Sequence, residues 1–393
     1  MIHRSVMEEN ERELREQTKT GDLPPELFHH ILKKIPDIGS FFRCRAVCKP
    51  WRFSTSLSDL GPQFPLLVKL NKGPASTDLE FYSIALDKVY TIPAPVCSGK
   101  RLVGQTAGGY MLACQLQKNN VINFSLVNPL INREVPLPDL RHQVYSVCQV
   151  SWICPSSFKC DDYIIITCNR WHKILAFCKP GDERWNIIGS MFNKRCFYLK
   201  GLLFMIELRT GVTKVMDIAY HQELYDIPPP KSEKSPRVIR FLVESCGDIF
   251  GVCHNSCNKR AEPQYDVYRL EFGNGEGHPS WVKVRSIGDR ILFLDIHTGH
   301  GFCLSENNFG TNFVRGFISH IDNSFRSCDF AAFRRNSIYF IRFLGLKDGK
   351  VRKPGYVHAI NIYDIENDQT FYINSPFNRH NFVTWFLPTL NHI

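Results

Sequence analysis

The sequence predicts two parts of different fold class, a small all-α module of three helices and a large all-β domain after it. Apolar residues recur at helical spacing within residues 22–57. From residue 64 onward, short runs rich in Val, Ile, Phe and Tyr alternate with Pro, Gly and Asn, which is typical of many short strands. A chain of 393 residues is long enough for both parts.

The first residues predict a disordered acidic tail over residues 1–20. Residues 1–22 hold four basic and six acidic side chains and no apolar segment of the kind that a signal peptide needs. Nowhere does an apolar run approach the ~18–20 residues of a membrane-spanning helix. The expected location is therefore cytoplasmic and/or nuclear, with no membrane partner. The 15 cysteines are expected to be reduced, and Cys114, Cys168 and Cys303 to act as small core residues.

The predicted α-helical module comes first among the folded parts. An apolar stripe continues to Ile35, Pro36 ends the first helix, and a second helix carries Phe41, Phe42 and Val47. Pro50 is expected in the first turn of a third helix that bears Trp51, because proline is tolerated where N–H groups have no helical partner. Three such short helices cannot bury all of this apolar surface among themselves. Periodicity alone leaves two alternatives open, docking on the rest of the chain or binding a partner protein.

The strings LPxELxxxILxxIP and FFRCRAVCKPWR resemble the F-box motif over residues 21–60. In proteins with this motif the three helices bind a Skp-type adaptor, which links them to a cullin scaffold. The resemblance therefore implies the same two partners here. Carried over position by position, the adaptor-binding residues would be Leu23, Pro24, Leu27, Ile31, Leu32, Phe42, Val47, Cys48 and Trp51. Pro50 departs from the charged or polar residue that many F-boxes carry at this position.

The large domain, residues 64–391, repeats one phrase of a β-rich run, a polar turn and a second short run. The turns centre near residues 87, 128, 180, 220, 273 and 365. An all-β chain with a period of about 40–50 residues predicts a β-propeller, in which each phrase is the outer hairpin of a four-stranded blade. The long interval before residue 365 has room for one extended blade or two, so we expect six or seven blades. An irregular pair of β-sandwiches is the alternative.

The ends of this domain are expected to close the ring. Residues 64–70 and 382–387 are strand-like runs without an obvious hairpin partner on their outer side. A propeller that left its first and last blades unjoined would expose two strand edges, so we expect both runs in one blade. The segments WVKVRSIGDRILFL, NPLINREVPLP and WFLP also resemble the C-terminal domain of a group of plant F-box proteins called KIB-like, which are described as kelch-like propellers.

No catalytic, cofactor-binding or metal-binding residues are predicted. GxxxxGK[ST], HExxH, GxSxG and paired CxxC are absent from the sequence. Residues 273–277 (GNGEG) are interpreted as a hairpin turn, because they open no helix. Cys253, His254 and Cys257 offer three metal ligands where structural zinc needs four. The net charge of +10 is spread thinly, without the basic stripe that nucleic-acid binding requires.

The predicted function is that of a substrate-recognition subunit of a Skp-cullin-F-box ubiquitin ligase, itself without catalytic residues. Its target is an unidentified protein, expected to bind propeller loops because loops on a rigid scaffold carry recognition. The candidate target-binding residues are Tyr220, His221, Arg260, His297 and His300. The alternative is a propeller enzyme or carbohydrate-binding protein in which the helices form an N-terminal cap.

Overall fold

A computed structural model of the chain gives the fold. It describes residues 23–33, 35, 38–55, 65–70, 77–105, 109–117, 121–140, 150–153, 164–168, 174–190, 194–199, 201–231, 238–255, 264–273, 278–295, 301–305, 333–342, 357–378 and 382–386. These residues belong to two compact units, one that includes residues 23–55 and one that includes residues 65–386. The predicted acidic tail lies outside the described residues.

The first unit consists of the three predicted helices, α1 (Pro25–Lys33), α2 (Ile38–Val47) and α3 (Lys49–Ser54). Pro50 lies in the first turn of α3, as predicted. The buried apolar side chains of this unit are Phe28, Leu32, Ile38 and Phe41. Within the described residues, no helix is long and apolar enough to cross a membrane.

The second unit is built from strands. In chain order they are β1 (Leu66–Leu70), β2 (Asp78–Ser83), β3 (Lys88–Pro93), β4 (Arg101–Gln105), β5 (Met111–Leu116), β6 (Ile122–Asn128), β7 (Arg133–Leu140), β8 (Val150–Ile153), β9 (Ile164–Cys168), β10 (Ile174–Cys178), β11 (Asn186–Ser190), β12 (Lys194–Leu199), β13 (Leu202–Glu207), β14 (Thr213–Asp217), β15 (Gln222–Ile227), β16 (Ile239–Ser245), β17 (Asp248–Asn255), β18 (Gln264–Glu271), β19 (Ser280–Val284), β20 (Ile291–Asp295), β21 (Gly301–Leu304), β22 (Ser337–Arg342), β23 (Val357–Asp364), β24 (Gln369–Asn378) and β25 (Phe382–Phe386).

Five four-stranded antiparallel sheets form regular propeller blades. Sheet 1 has the order β25-β1-β2-β3, and sheets 2 to 5 contain β4–β7, β8–β11, β12–β15 and β16–β19. The remaining described strands form sheet 6, with five strands in the order β21-β20-β22-β23-β24. In sheet 6, β20 and β22 are parallel, which a regular blade does not allow. The predicted count of six or seven blades is therefore corrected: the described residues form five regular blades and one irregular sheet.

Neighbouring sheets are joined by apolar clusters that take residues from both. Trp185 of sheet 3 packs with Phe124 of sheet 2, and Trp281 of sheet 5 belongs to the same cluster as Phe204 of sheet 4. Further clusters join sheets 3 and 4, sheets 5 and 6, and sheets 6 and 1. Strands β25 and β4 bring sheets 1 and 2 together. The core of the propeller is thus a series of layers between blades, in which Cys114 and Cys303 are buried as predicted.

The repeated phrase of the sequence does correspond to the outer hairpins. Its six turns fall between β2 and β3, β6 and β7, β10 and β11, β14 and β15, β18 and β19, and β23 and β24. In each case the two strands are paired antiparallel at the outer edge of their sheet. That part of the interpretation is confirmed.

The closure of the ring is also confirmed. β1, which follows the helical unit in sequence, pairs antiparallel with β25, with Leu66 opposite Phe386 and Leu70 opposite Phe382. Both strands lie in sheet 1, so one blade is composed from the two ends of the propeller domain.

Candidate functional site

The helices of the first unit are held by aromatic packing and by one arginine. The rings of Phe28 on α1 and Trp51 on α3 lie with centroids 4.2 Å apart. Arg45 on α2 donates from Nη1 to the carbonyl oxygen (2.8 Å) and to Oγ1 (3.0 Å) of Thr55, just beyond α3. Its guanidinium also lies 5.8 Å from the centre of the Phe41 ring. These contacts fix the three helices against each other without using their outer apolar side chains.

Each helix of this unit leaves a large apolar side chain exposed. On α1 Leu27 and Ile31 are 53% and 45% exposed, on α2 Val47 is 56% exposed, and on α3 Phe53 is 83% exposed. Leu27 and Ile31 are four residues apart and therefore lie on the same side of α1. Phe28 and Leu32, one position further along, face the core. Exposed apolar side chains in such number on a small unit are typical of a protein-binding surface.

The predicted adaptor-binding residues divide by exposure. Pro24, Leu27, Ile31 and Val47 are exposed, and Leu23, Phe42, Cys48 and Trp51 are half-buried, whereas Leu32 is buried. Leu32 therefore belongs to the core of the unit and presents no surface to a partner. Phe53 was not selected from the sequence because the motif ends at Arg52. The signal that could have found it is an apolar residue at the end of a helix too short to bury it.

Of the candidate target-binding residues, the structure describes two neighbours in the β14–β15 turn. Tyr220 is 80% exposed, and the ring of His221 lies 5.6 Å from that of Phe177 in sheet 3. Asp217 Oδ1 accepts hydrogen bonds from the backbone N–H groups of Ala219 (2.8 Å) and Tyr220 (3.2 Å), which holds the turn. His221 has φ +54°, a left-handed conformation that closes the turn.

Arg260, His297 and His300 lie outside the described residues.

The sequence did not indicate two further exposed aromatic side chains. One follows the β14–β15 turn in sequence, and the other directly follows a strand of the neighbouring sheet 5. Tyr225 on β15 and Phe272, just after β18 of sheet 5, have ring centroids 6.2 Å apart. They are 40% and 53% exposed. Their proximity depends on the packing of sheet 4 against sheet 5, so no local pattern could have indicated it.

The described residues offer no evident metal site. Among them, no group of three or more His, Cys, Asp or Glu side chains is placed to hold an ion. Cys253 is buried in the core between sheets 4 and 5, and Cys257 is outside the described part of the chain. Burial raises the pKa of the Cys97 and Cys303 thiols from 9.0 to about 12, so both are protonated near neutral pH.

Solved structures with a similar arrangement are distant. TolB from Acinetobacter baumannii is 10% identical, with a TM-score of 0.43, over 82% of this chain and 66% of its own. A chain of a nidogen/laminin complex is 8% identical, with a TM-score of 0.37, over 83% of this chain and 100% of its own. At such scores the likeness carries no functional meaning.

Proteins of Arabidopsis thaliana are similar over most of the chain. F-box protein At5g55150 is 22% identical over 93% of this chain and 96% of its own length. F-box/kelch-repeat protein At5g24040 is 22% identical over 70% of this chain and 80% of its own.

Two family models match the two units of the structure. The F-box domain model matches residues 21–61, which include all three helices. The KIB1-4 beta-propeller model matches residues 81–364, from β2 to the end of β23. The second match alone covers more than half of the 393 residues. The chain therefore belongs to the KIB1-4 beta-propeller family and is a plant F-box protein with a propeller domain.

Proposed function

We propose that this protein binds a Skp-type adaptor, and through it a cullin, with the helices of residues 23–55, and carries a target protein on its propeller. An F-box combined with a β-propeller implies substrate recognition for a ubiquitin ligase in general. The observation that supports adaptor binding by this chain is the exposure of Leu27, Ile31, Val47 and Phe53 on so small a unit. A location in the cytoplasm and/or nucleus, where such ligases work, is part of the proposal.

The proposed contribution to the reaction is proximity. A receptor that holds the target beside the ubiquitin-carrying enzyme raises its effective concentration there. F-box proteins are generally non-catalytic in this role, and no residue of this chain is assigned a covalent step. A rigid propeller would serve the purpose, because an ordered support loses less conformational freedom when the target binds.

The first prediction tests the adaptor-binding surface. Leu27→Asp places a carboxylate in an interface that should be apolar, and we expect adaptor binding to fall below detection in isothermal titration calorimetry with the full chain. Trp51→Ala should weaken binding at least tenfold, since truncating a desolvated aromatic anchor costs about 2–4 kcal/mol. Trp51 also packs on Phe28, so its variant must first give a native circular dichroism spectrum.

The matched control is His30→Ala, an exposed polar position of the same helix beside Ile31. It should bind the adaptor like the unmodified chain. Equal affinity of the adaptor for Leu27→Asp and His30→Ala would contradict the proposed surface. Complete lack of adaptor binding by the unmodified chain would instead favour a propeller enzyme or carbohydrate-binding protein.

A further inference from the structure

The outermost strand of sheet 4 differs from the outermost strands of sheets 1, 5 and 6. Five consecutive residues of β15, from Gln222 to Asp226, are exposed, and they include Leu224 and Tyr225. In the described outer strands β3, β19 and β24, buried residues interrupt any such run. Among the described strands β15 pairs with β14 alone. On either side of the β-bulge at Leu224, its other edge therefore presents backbone N–H and C=O groups that a further strand can use.

Aromatic side chains flank this edge in a fixed arrangement. The rings of Tyr225 and Phe272 contact each other across the boundary between sheets 4 and 5, so neither must be ordered on binding. Tyr220 is exposed in the turn that leads into β15, and two hydrogen bonds to Asp217 hold that turn. Exposed aromatic side chains in rigid surroundings are the usual anchors of protein interfaces.

The edge formed by β15 is negatively charged, whereas the chain as a whole is positively charged. β15 carries Glu223 and Asp226 and no basic residue, in a protein of net charge +10. Both carboxylates contact the same ammonium group, that of Lys214 on β14, at 3.4 and 3.6 Å. The Coulombic attraction of the two carboxylates raises the pKa of Lys214. One cation cannot neutralise two anions, so an excess of negative charge remains.

We propose that the edge of β15 is a docking site for an extended, basic segment of the target protein, which pairs with it as an added strand. Backbone hydrogen bonds would supply affinity, and alternate side chains would meet Tyr225 and the carboxylates of Glu223 and Asp226. A second copy of this chain fits less well, because two β15 edges paired with each other would bring like charges together. This inference rests on the proposed function and names the chemistry of the target segment.

The test uses the full chain and synthetic peptides, with binding followed by fluorescence anisotropy. An eight-residue peptide of alternating Lys and Val should bind and its affinity should fall with added salt, because exposed charges are screened. A peptide of alternating Glu and Val should bind at least tenfold more weakly. N-methylation of alternate backbone amides in the Lys–Val peptide should abolish binding, since it removes the donors needed for strand pairing.

Protein variants locate the site. We expect about tenfold weaker binding of the Lys–Val peptide to each of two variants. One combines Glu223→Lys with Asp226→Lys, and the other carries Tyr225→Ala alone. Tyr372→Ala is the matched control, because Tyr372 is a 46% exposed tyrosine on the outer strand β24 of sheet 6. Unchanged binding to Tyr225→Ala, or equal losses for Tyr225→Ala and Tyr372→Ala, would overturn the proposal. So would a dimer in analytical ultracentrifugation that Tyr225→Ala dissociates.

Adaptor binding is measured on the same samples. Peptide binding without adaptor binding would reject the proposed function and leave the strand-pairing site standing. Adaptor binding without peptide binding would reject this inference alone.

Discussion

At the scale of single residues, the role of Gly251 illustrates what the sequence could not show. A glycine within a strand suggests a bulge or a need for conformational freedom, yet Gly251 is not among the glycines with positive φ. Its role is to leave space. A Cβ at this position would lie 2.7 Å from Cδ1 of Ile239 and 3.0 Å from Cζ3 of Trp281. Both neighbours are buried in the cluster between sheets 4 and 5.

Gly251→Ala should therefore lower the free energy of unfolding by about 1–3 kcal/mol, the usual cost of overpacking. Ile239→Val removes the Cδ1 atom and alone should cost about 0.5–1.5 kcal/mol. Because the valine relieves the closest contact, the double variant should lose less than the sum of the two single variants. Urea denaturation of all four proteins measures this coupling. Additive costs would show that the close approach to Ile239 is not what excludes a side chain here.

The sequence also could not show which apolar side chains of α1 are exposed and which are buried. Periodicity places Leu27, Phe28, Ile31 and Leu32 on one broad stripe, but two of them face solvent and two face the core. The motif therefore identified the F-box unit, while the exposure of individual side chains depends on the packing of Phe28 against Trp51.

At the scale of elements, the outer turns are where sequence and structure agree best, because their chemistry is local. In four of the sheets, a polar residue ends the strand before the outermost one and accepts hydrogen bonds from the turn, as Ser83, Asn128, Asp217 and Asp364 do. Each turn then closes on a residue with positive φ, Asp87, Asn132, His221 or Asp368. Such residues tolerate the left-handed conformation or bond to the backbone within the turn.

Asp217 provides the test at this scale. Asp217→Ala removes the acceptor of two backbone N–H groups and should lower the free energy of unfolding by about 0.5–2 kcal/mol, in the range of a lost helix cap. Asp217→Asn keeps an oxygen at the Oδ1 position and should retain most of that stability. Thermal denaturation of both variants makes the comparison. Equal loss in the two variants would mean that the charge of Asp217, and not its hydrogen bonds, stabilises the turn.

At the scale of the whole molecule, the sequence predicted the propeller but not the form of sheet 6. Parallel pairing of β20 with β22 brings Ile291 opposite Ser337. Such pairing depends on contacts between strands far apart in sequence, for which a repeat of hairpins gives no sign. The long interval between recognisable phrases was the only indication that this region departs from the regular blade.

The stability of the propeller domain depends on closure of the ring, and β25 closes it by pairing with β1. In addition to pairing with β1, this strand binds sheet 6: Thr384 Oγ1 donates to Asp295 Oδ2 (2.6 Å) and Trp385 Nε1 donates to the carbonyl oxygen of Leu294 (2.9 Å). Trp385 and Phe386 are buried, and removing a buried aromatic side chain costs about 3–5 kcal/mol. Two such losses approach the ~5–15 kcal/mol that stabilise a typical domain.

Deletion of residues 382–393 should therefore open the ring. We expect the truncated chain to aggregate or to lose cooperative unfolding in calorimetry, because the edge of β1 becomes available for pairing with other chains and the apolar residues of sheet 6 that pack on Trp385 become exposed. A chain that ends at residue 387 keeps β25 and is the matched control, with the melting behaviour of the full protein. Adaptor binding through residues 23–55 should survive in both, since both chains keep these residues. A truncated chain that melts cooperatively at the temperature of the control would show that the ring holds without its last strand.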